Sequence, residues 1–164
     1  MNTVEIGKNI RISIKQGNLE QVIQLIGDDK SVLSMMTPFG SWLHVAADQG
    51  QLDIVKKLLD LGVDINLRGG IAGGNALREA ADKGHLEIVD YLLSKGAEMD
   101  SSEPERNPLF AAIREGNTML AKYLIEHDID VNAEYDTESK NALGFAKKYG
   151  RTEIVELLIQ KGCK

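Results

Sequence analysis

The sequence predicts an all-α solenoid, a stack of helix pairs, on three observations. A glycine recurs in register at Gly17, Gly50, Gly84, Gly116 and Gly150, with separations of 33, 34, 32 and 34 residues. A second column lies twelve residues further on, at Gly62, Gly96, Asp128 and Gly162. Between the columns the apolar residues follow helical spacing and not a strand's alternation. A fixed period of this size marks a repeat architecture, in which each copy is one supersecondary unit.

The elements follow in order. The first copy is faint, "IRISIKQGNLEQVIQLIGDDKS", and serves as an N-terminal cap over residues 5–36. The next reads "SWLHVAADQGQLDIVKKLLDLGVDIN", within residues 37–70. Its first helix carries Leu43, Ala46 and Ala47 on one face, small enough for helix backbones to lie close. Gly50 can take positive φ and end that helix. The second helix carries Leu52, Ile54, Val55, Leu58 and Leu59, a wide apolar stripe.

The copy in 71–103 repeats the pattern with Leu77, Ala80 and Ala81, then Leu86, Ile88, Val89, Leu92 and Leu93. The copy in 104–136 offers Leu109, Ala112 and Ile113, then Met119, Leu120, Tyr123, Leu124 and Ile125. The last, 137–164, offers Leu143 and Ala146, then Ile154, Val155, Leu157, Leu158 and Ile159, and forms a C-terminal cap. Asp128 breaks the second glycine column, but Asp tolerates the left-handed region better than most residues. Between copies lie loops rich in Gly, Ser, Asp and Glu, which suit finger-like turns. No copy can bury its stripe alone, so stacking is required.

Composition agrees. The 164 residues suit a single domain spanning 1–164; 43% are apolar and only 5% aromatic, so the core rests on Leu, Ile, Val and Ala. Net charge is −6, which disfavours a sequence-independent nucleic-acid binder. Residues 70–100 and 101–132 each carry three basic and six acidic groups, while 133–164 carry six and five. An acidic middle suits either plain solubility or the steering of a basic partner. A lone Cys163 excludes an intramolecular disulfide and fits a reducing, cytoplasmic setting. No apolar run is long enough for a membrane helix.

The repeats resemble ankyrin repeats, whose pattern is close to "G-x-TPLHxAAxxGHxEVVxLLLxxGADVN". "LHVAADQGQLDIVKKLLDLGVDIN" and "LREAADKGHLEIVDYLLSKGAEMD" fit nearly throughout. The match is clear over 37–164 and weak over 5–36. Ser41, Asn75, Asn107 and Asn141 replace the pattern's Thr, only Pro108 keeps its Pro, and only His44 its first His. The resemblance implies about five helix-turn-helix repeats with short β-hairpin-like fingers. It also implies a non-catalytic module that binds a protein partner through a concave face and finger tips.

Residue by residue, the resemblance places finger contacts at Phe39, Trp42, Arg68, Ile71, Glu103, Glu105, Arg106, Tyr135 and Glu138. It places inner-helix contacts at Asp48, Gln49, Asp82, Lys83, Arg114, Glu115, Lys148 and Tyr149. Trp42 stands where the pattern has proline; it either packs over a repeat edge or forms an exposed anchor. His44 and His85 are architectural by the same resemblance, and His127 is a solvated helix-end residue. The partner would be a protein, with a basic surface as one option; no nucleic acid, membrane, cofactor or metal is expected, and the expected state is a monomer. Many short stand-alone chains of this kind resemble bacterial immunity or inhibitor proteins that occlude a toxin or enzyme, which is the alternative role.

An enzyme would need a constellation of reacting groups. The three histidines lack a ligand-like spacing such as HExxH. The acidic groups Asp28–Asp29, Glu103 with Glu105, and Glu134, Asp136 and Glu138 lie in charged loops and read as solvated turns. "GGIAGGN", Gly69–Asn75, lacks GxxxxGK[ST] and reads as a finger. No serine has a GxSxG setting.

Overall fold

The computed structural model describes residues 2–164. Among the described residues there are eleven helices and no strands. The chain divides into two compact units, 1–98 and 99–164.

The first unit holds seven helices. They are α1 (Thr3–Lys15), α2 (Leu19–Ile26), the single turn α3 (Lys30–Leu33), α4 (Trp42–Asp48), α5 (Leu52–Asp60), α6 (Ala76–Asp82) and α7 (Leu86–Ser94). The inner helices pack in series, α1 on α4 on α6, and so do the outer helices, α2 on α5 on α7. The second unit holds α8 (Pro108–Glu115), α9 (Thr118–Glu126), α10 (Ala142–Lys148) and α11 (Thr152–Gln160). Here α8 packs on α10 and α9 on α11. The all-α repeat class expected from the sequence is the observed one.

The predicted stripes form the core. Leu43, Ala46, Ala47, Ile54, Val55 and Leu58 are buried, as are Leu77, Ala80, Ala81, Ile88, Val89 and Leu92. In the second unit Leu109, Ala112, Ile113, Leu120, Leu124, Ala146, Ile154 and Leu158 are buried. The other stripe members are less covered: Leu52, Leu59, Leu86, Leu93, Tyr123, Val155 and Leu157 are half-buried, and Met119 and Ile159 are exposed. Each of these last two lies near an end of its nine-residue helix, where no further turn covers it.

Helix ends obey the predicted backbone logic. Gly50 and Gly62 have φ of 72° and 91°, and Asp128 occupies the same left-handed region at φ 62°. The first glycine column also makes room for a neighbour. A Cβ on Gly50 would lie 2.7 Å from the His85 ring, and one on Gly116 2.8 Å from the Arg151 guanidinium. Through that gap His85 Nε2 meets Asp48 O at 3.0 Å, and because a carbonyl only accepts, the ring nitrogen donates there. Likewise Arg151 donates to Ile113 O and Arg114 O in the last turn of α8. These bonds satisfy acceptors that a helix C-terminus leaves open.

The asparagines that replace Thr do two jobs. Asn75, Asn107 and Asn141 accept a backbone N–H of their own helix through Oδ1. Each also donates through Nδ2, to Glu98 O, Tyr135 Oη and Lys164 O respectively. An amide carries an acceptor and donors on one side chain, so one residue caps a helix and ties it to the segment after it.

Candidate protein interface

Trp42 is fully buried, and its indole N–H donates to Val32 O at 2.7 Å. It therefore belongs to the core of the first unit and not to an exposed anchor. A proline at this first helical turn would offer neither the ring nor the donor, and the ring is what joins α1, α3 and the start of α4. Gly7 of α1 sits against it: a Cβ there would lie 3.6 Å from the ring edge.

His44 is buried between two fingers. Ser41 N–H donates to its Nδ1 at 3.2 Å, and Ser41 Oγ lies 2.9 Å from the same nitrogen. Its Nε2 lies 3.1 Å from Gly74 O, which can only accept. The proton is therefore on Nε2, and Ser41 Oγ donates to Nδ1. Burial holds the His44 pKa below its ordinary value, with the Gly74 bond opposing weakly. Gly40 must be glycine for this ring to fit, since it has φ 88° and its Cβ would lie 2.5 Å from His44 Cγ.

Around this brace the first unit presents its fingers and inner-helix ends. The fingers are the bridged turns Thr37–Gly40 and Gly69–Gly74. Phe39 is exposed on the first, Arg68 is exposed just before the second, and Ile71 is 89% exposed at the second turn's tip. At the helix ends Lys83 Nζ lies 3.8 Å from Asp48 and 3.4 Å from Asp82, and Gln49 donates to Asp48. Asp82 is not a free contact residue: Arg78, itself buried, holds it at 3.5 Å. Glu79, 3.9 Å from Arg78, has one buried oxygen without a hydrogen bond. Burial raises the Glu79 pKa, Arg78 lowers it, and the nearby Asp48 and Asp82 raise it further.

The second unit uses rings. Phe110 meets Tyr135 edge-on at 5.2 Å and Phe145 at 4.5 Å, and Phe145 meets Tyr149 at 4.7 Å. Tyr135 is half-buried: its hydroxyl donates to Ser101 O and accepts from Asn107. It fastens a finger and does not offer a free tip. Tyr149 is exposed, beside the exposed pair Lys148 and Glu138, 2.8 Å apart. Arg106 pairs with Glu103 at 3.2 Å and Arg114 with Glu115 at 3.1 Å, while Glu105 is exposed.

The remaining chemistry-bearing residues are structural. His127 is exposed at the end of α9, stacks on Tyr123 and bonds Tyr123 O through Nδ1. Asp29 caps α3 and Asp100 accepts from Ser102. Cys163 is buried, its thiol donates to Val131 O, and burial raises its pKa. Among the described residues no three His, Cys, Asp or Glu side chains are grouped to hold a metal ion.

The family model described as ankyrin repeats (3 copies) matches residues 10–103 and again residues 77–164. The chain belongs to the ankyrin-repeat family. Ankyrin repeats are generally modules of protein–protein interaction and typically non-catalytic. In an ankyrin repeat the bracing roles of His44 and His85 are those the sequence resemblance implied, and here each bond is visible. The roles of Arg78 and Arg151 could not be read from the pattern, because neither is the pattern's own residue. No described helix is long and apolar enough to cross a membrane.

Proposed function

We propose that the protein is a non-catalytic module that binds a protein partner through finger tips and inner-helix ends. The observation that carries this is the exposure of large apolar side chains on the fingers, Ile71 above all. An isoleucine held in water at the tip of a bridged turn adds nothing to its own core, and a partner would bury it. At the helix ends of the first unit the three carboxylates Asp48, Glu79 and Asp82 outnumber the two cations beside them, Arg78 and Lys83, and this acidic surplus would favour a basic group on that partner. The single free thiol suits a reducing compartment such as the cytoplasm, and the protein would act as a monomer there.

Affinity capture with the full chain, compared with Ile71→Asp and Tyr149→Ala, tests the surface. The expected result is one captured protein that is lost with Ile71→Asp and released as salt rises, because exposed charge pairs are screened. Equal capture by the parent chain and both variants would reject the proposed contacts.

A further inference from the structure

A groove of about 300 Å³ lies in the first unit between α1 and the first finger. Its apolar wall is Val4, Met35, Met36 and Phe39, and Gly7 forms part of the floor. A Cβ on Gly7 would lie 3.1 Å from Met35 Sδ, so the missing side chain brings α1 close to the finger. Glycine inside a helix costs roughly 1 kcal/mol relative to alanine, so its presence here calls for a packing or functional reason.

The charge of this groove is opposite to that of the chain. Among the described residues its only ionisable lining groups are Lys8 and Arg11. No carboxylate among the described residues is in ion-pair range of either. Arg11 lies over the Phe39 ring, 5.1 Å from its centre, which fixes a cation at the apolar wall. Lys15 follows on the same side of α1, seven residues after Lys8. Glu5, the one acid of α1, is not among the lining residues; it lies about 60° round the helix from Lys8 and about 100° from Val4.

Resting on the protein-binding reading, we infer that this groove receives an acidic peptide segment carrying one large apolar anchor. The anchor fills the space between Phe39, Met36 and Val4, and carboxylates on either side of it meet Arg11 and Lys8. A neutral apolar segment would leave both cations at the rim unanswered, and a basic one would meet them with like charge. Methionine-lined walls adapt to different anchors, so the class of ligand is set by charge pattern more than by one side chain.

A randomised phage-displayed peptide library panned on the full chain tests this. Enriched sequences should hold Asp or Glu beside Leu, Phe or Met, and synthetic copies should lose affinity by about tenfold or more in Lys8→Glu/Arg11→Glu. Thermal melting checks that the charge-reversed variant is folded, and Phe39→Ala provides a second, uncharged variant with the same expected loss. Enrichment of basic or neutral sequences, or binding unchanged by these variants, would overturn the inference. So would a failure to enrich any peptide while phosphatidylserine vesicles bind. Peptides lost with Ile71→Asp but kept by the groove variants would overturn the groove alone and leave the protein-binding reading standing. No enrichment of any peptide and no captured protein would remove both.

Discussion

The two units solve one structural problem in two ways. In the first, the residue at the third position of α4 and of α6 is polar: His44 and Arg78. In the second, the same position holds Phe110 and Gly144. His44 joins two fingers by directed hydrogen bonds, and Arg78 holds Asp82 and Glu79. Phe110 instead starts a run of rings through Phe145 to Tyr149. Polar braces depend on geometry and protonation, whereas ring contacts depend on buried area. One repeat pattern therefore yields a region sensitive to pH and a region that answers mainly to packing.

Deleting each brace separates the two kinds. Phe110→Ala removes the ring that touches both Tyr135 and Phe145 and should cost about 3–5 kcal/mol, read from urea unfolding. His44→Ala strips Gly74 O and Ser41 of their partner and should cost about 1–3 kcal/mol. Equal costs would mean that the polar brace also works chiefly by filling space.

Acidification should divide them further. The folded His44 pKa lies below the ordinary 6.5 of the unfolded chain. Above 6.5 both states are neutral there and the stability is fully present. As pH falls below that value the unfolded chain takes up a proton that the folded chain refuses, so stability declines. Glu79 has the opposite sign: its folded pKa is raised above the ordinary 4.5, so its ionisation costs stability as pH rises through the folded value. Comparing unfolding midpoints at falling pH in the parent and His44→Leu isolates the first effect. The parent should lose stability below neutrality more steeply than His44→Leu, and parallel curves would contradict the assignment.

The smallest expected effect concerns Asp128, the second unit's departure from the glycine column. Asp128→Gly relieves a left-handed non-glycine residue, a conformation that costs roughly 1–2 kcal/mol for an ordinary side chain and less for Asp. It also gives up a surface contact to Lys161 at 3.2 Å. The expected gain is therefore about 0.5 kcal/mol or less in the same unfolding assay, surface ion pairs being worth little.

Much of this was legible in the sequence. The glycine columns located the helix ends, and the tolerance of Asp for positive φ was stated from residue type alone. The buried stripes followed from spacing, except at Met119 and Ile159, where periodicity near a helix end says which direction a side chain takes but not what lies there. Trp42 was undecidable from one chain position, because the edge it packs under is built from Val32 and Gly7, far from it in sequence. Asp82 and Tyr135 read as surface contacts, and nothing in the sequence signals that Arg78 holds the one or that Ser101 and Asn107 hold the other. The groove beside α1 left no signal beyond an unexplained helical glycine.

By itself the sequence determined the repeat, its register and the places where helices stop, since backbone preference and apolar spacing are local properties. Only the tertiary structure decided which exceptional residues brace the fold and which face solvent. Those outcomes depend on the neighbouring copy: the carbonyl that meets His44, the cleft that Gly50 leaves for His85, and the finger that brings Phe39 under Arg11.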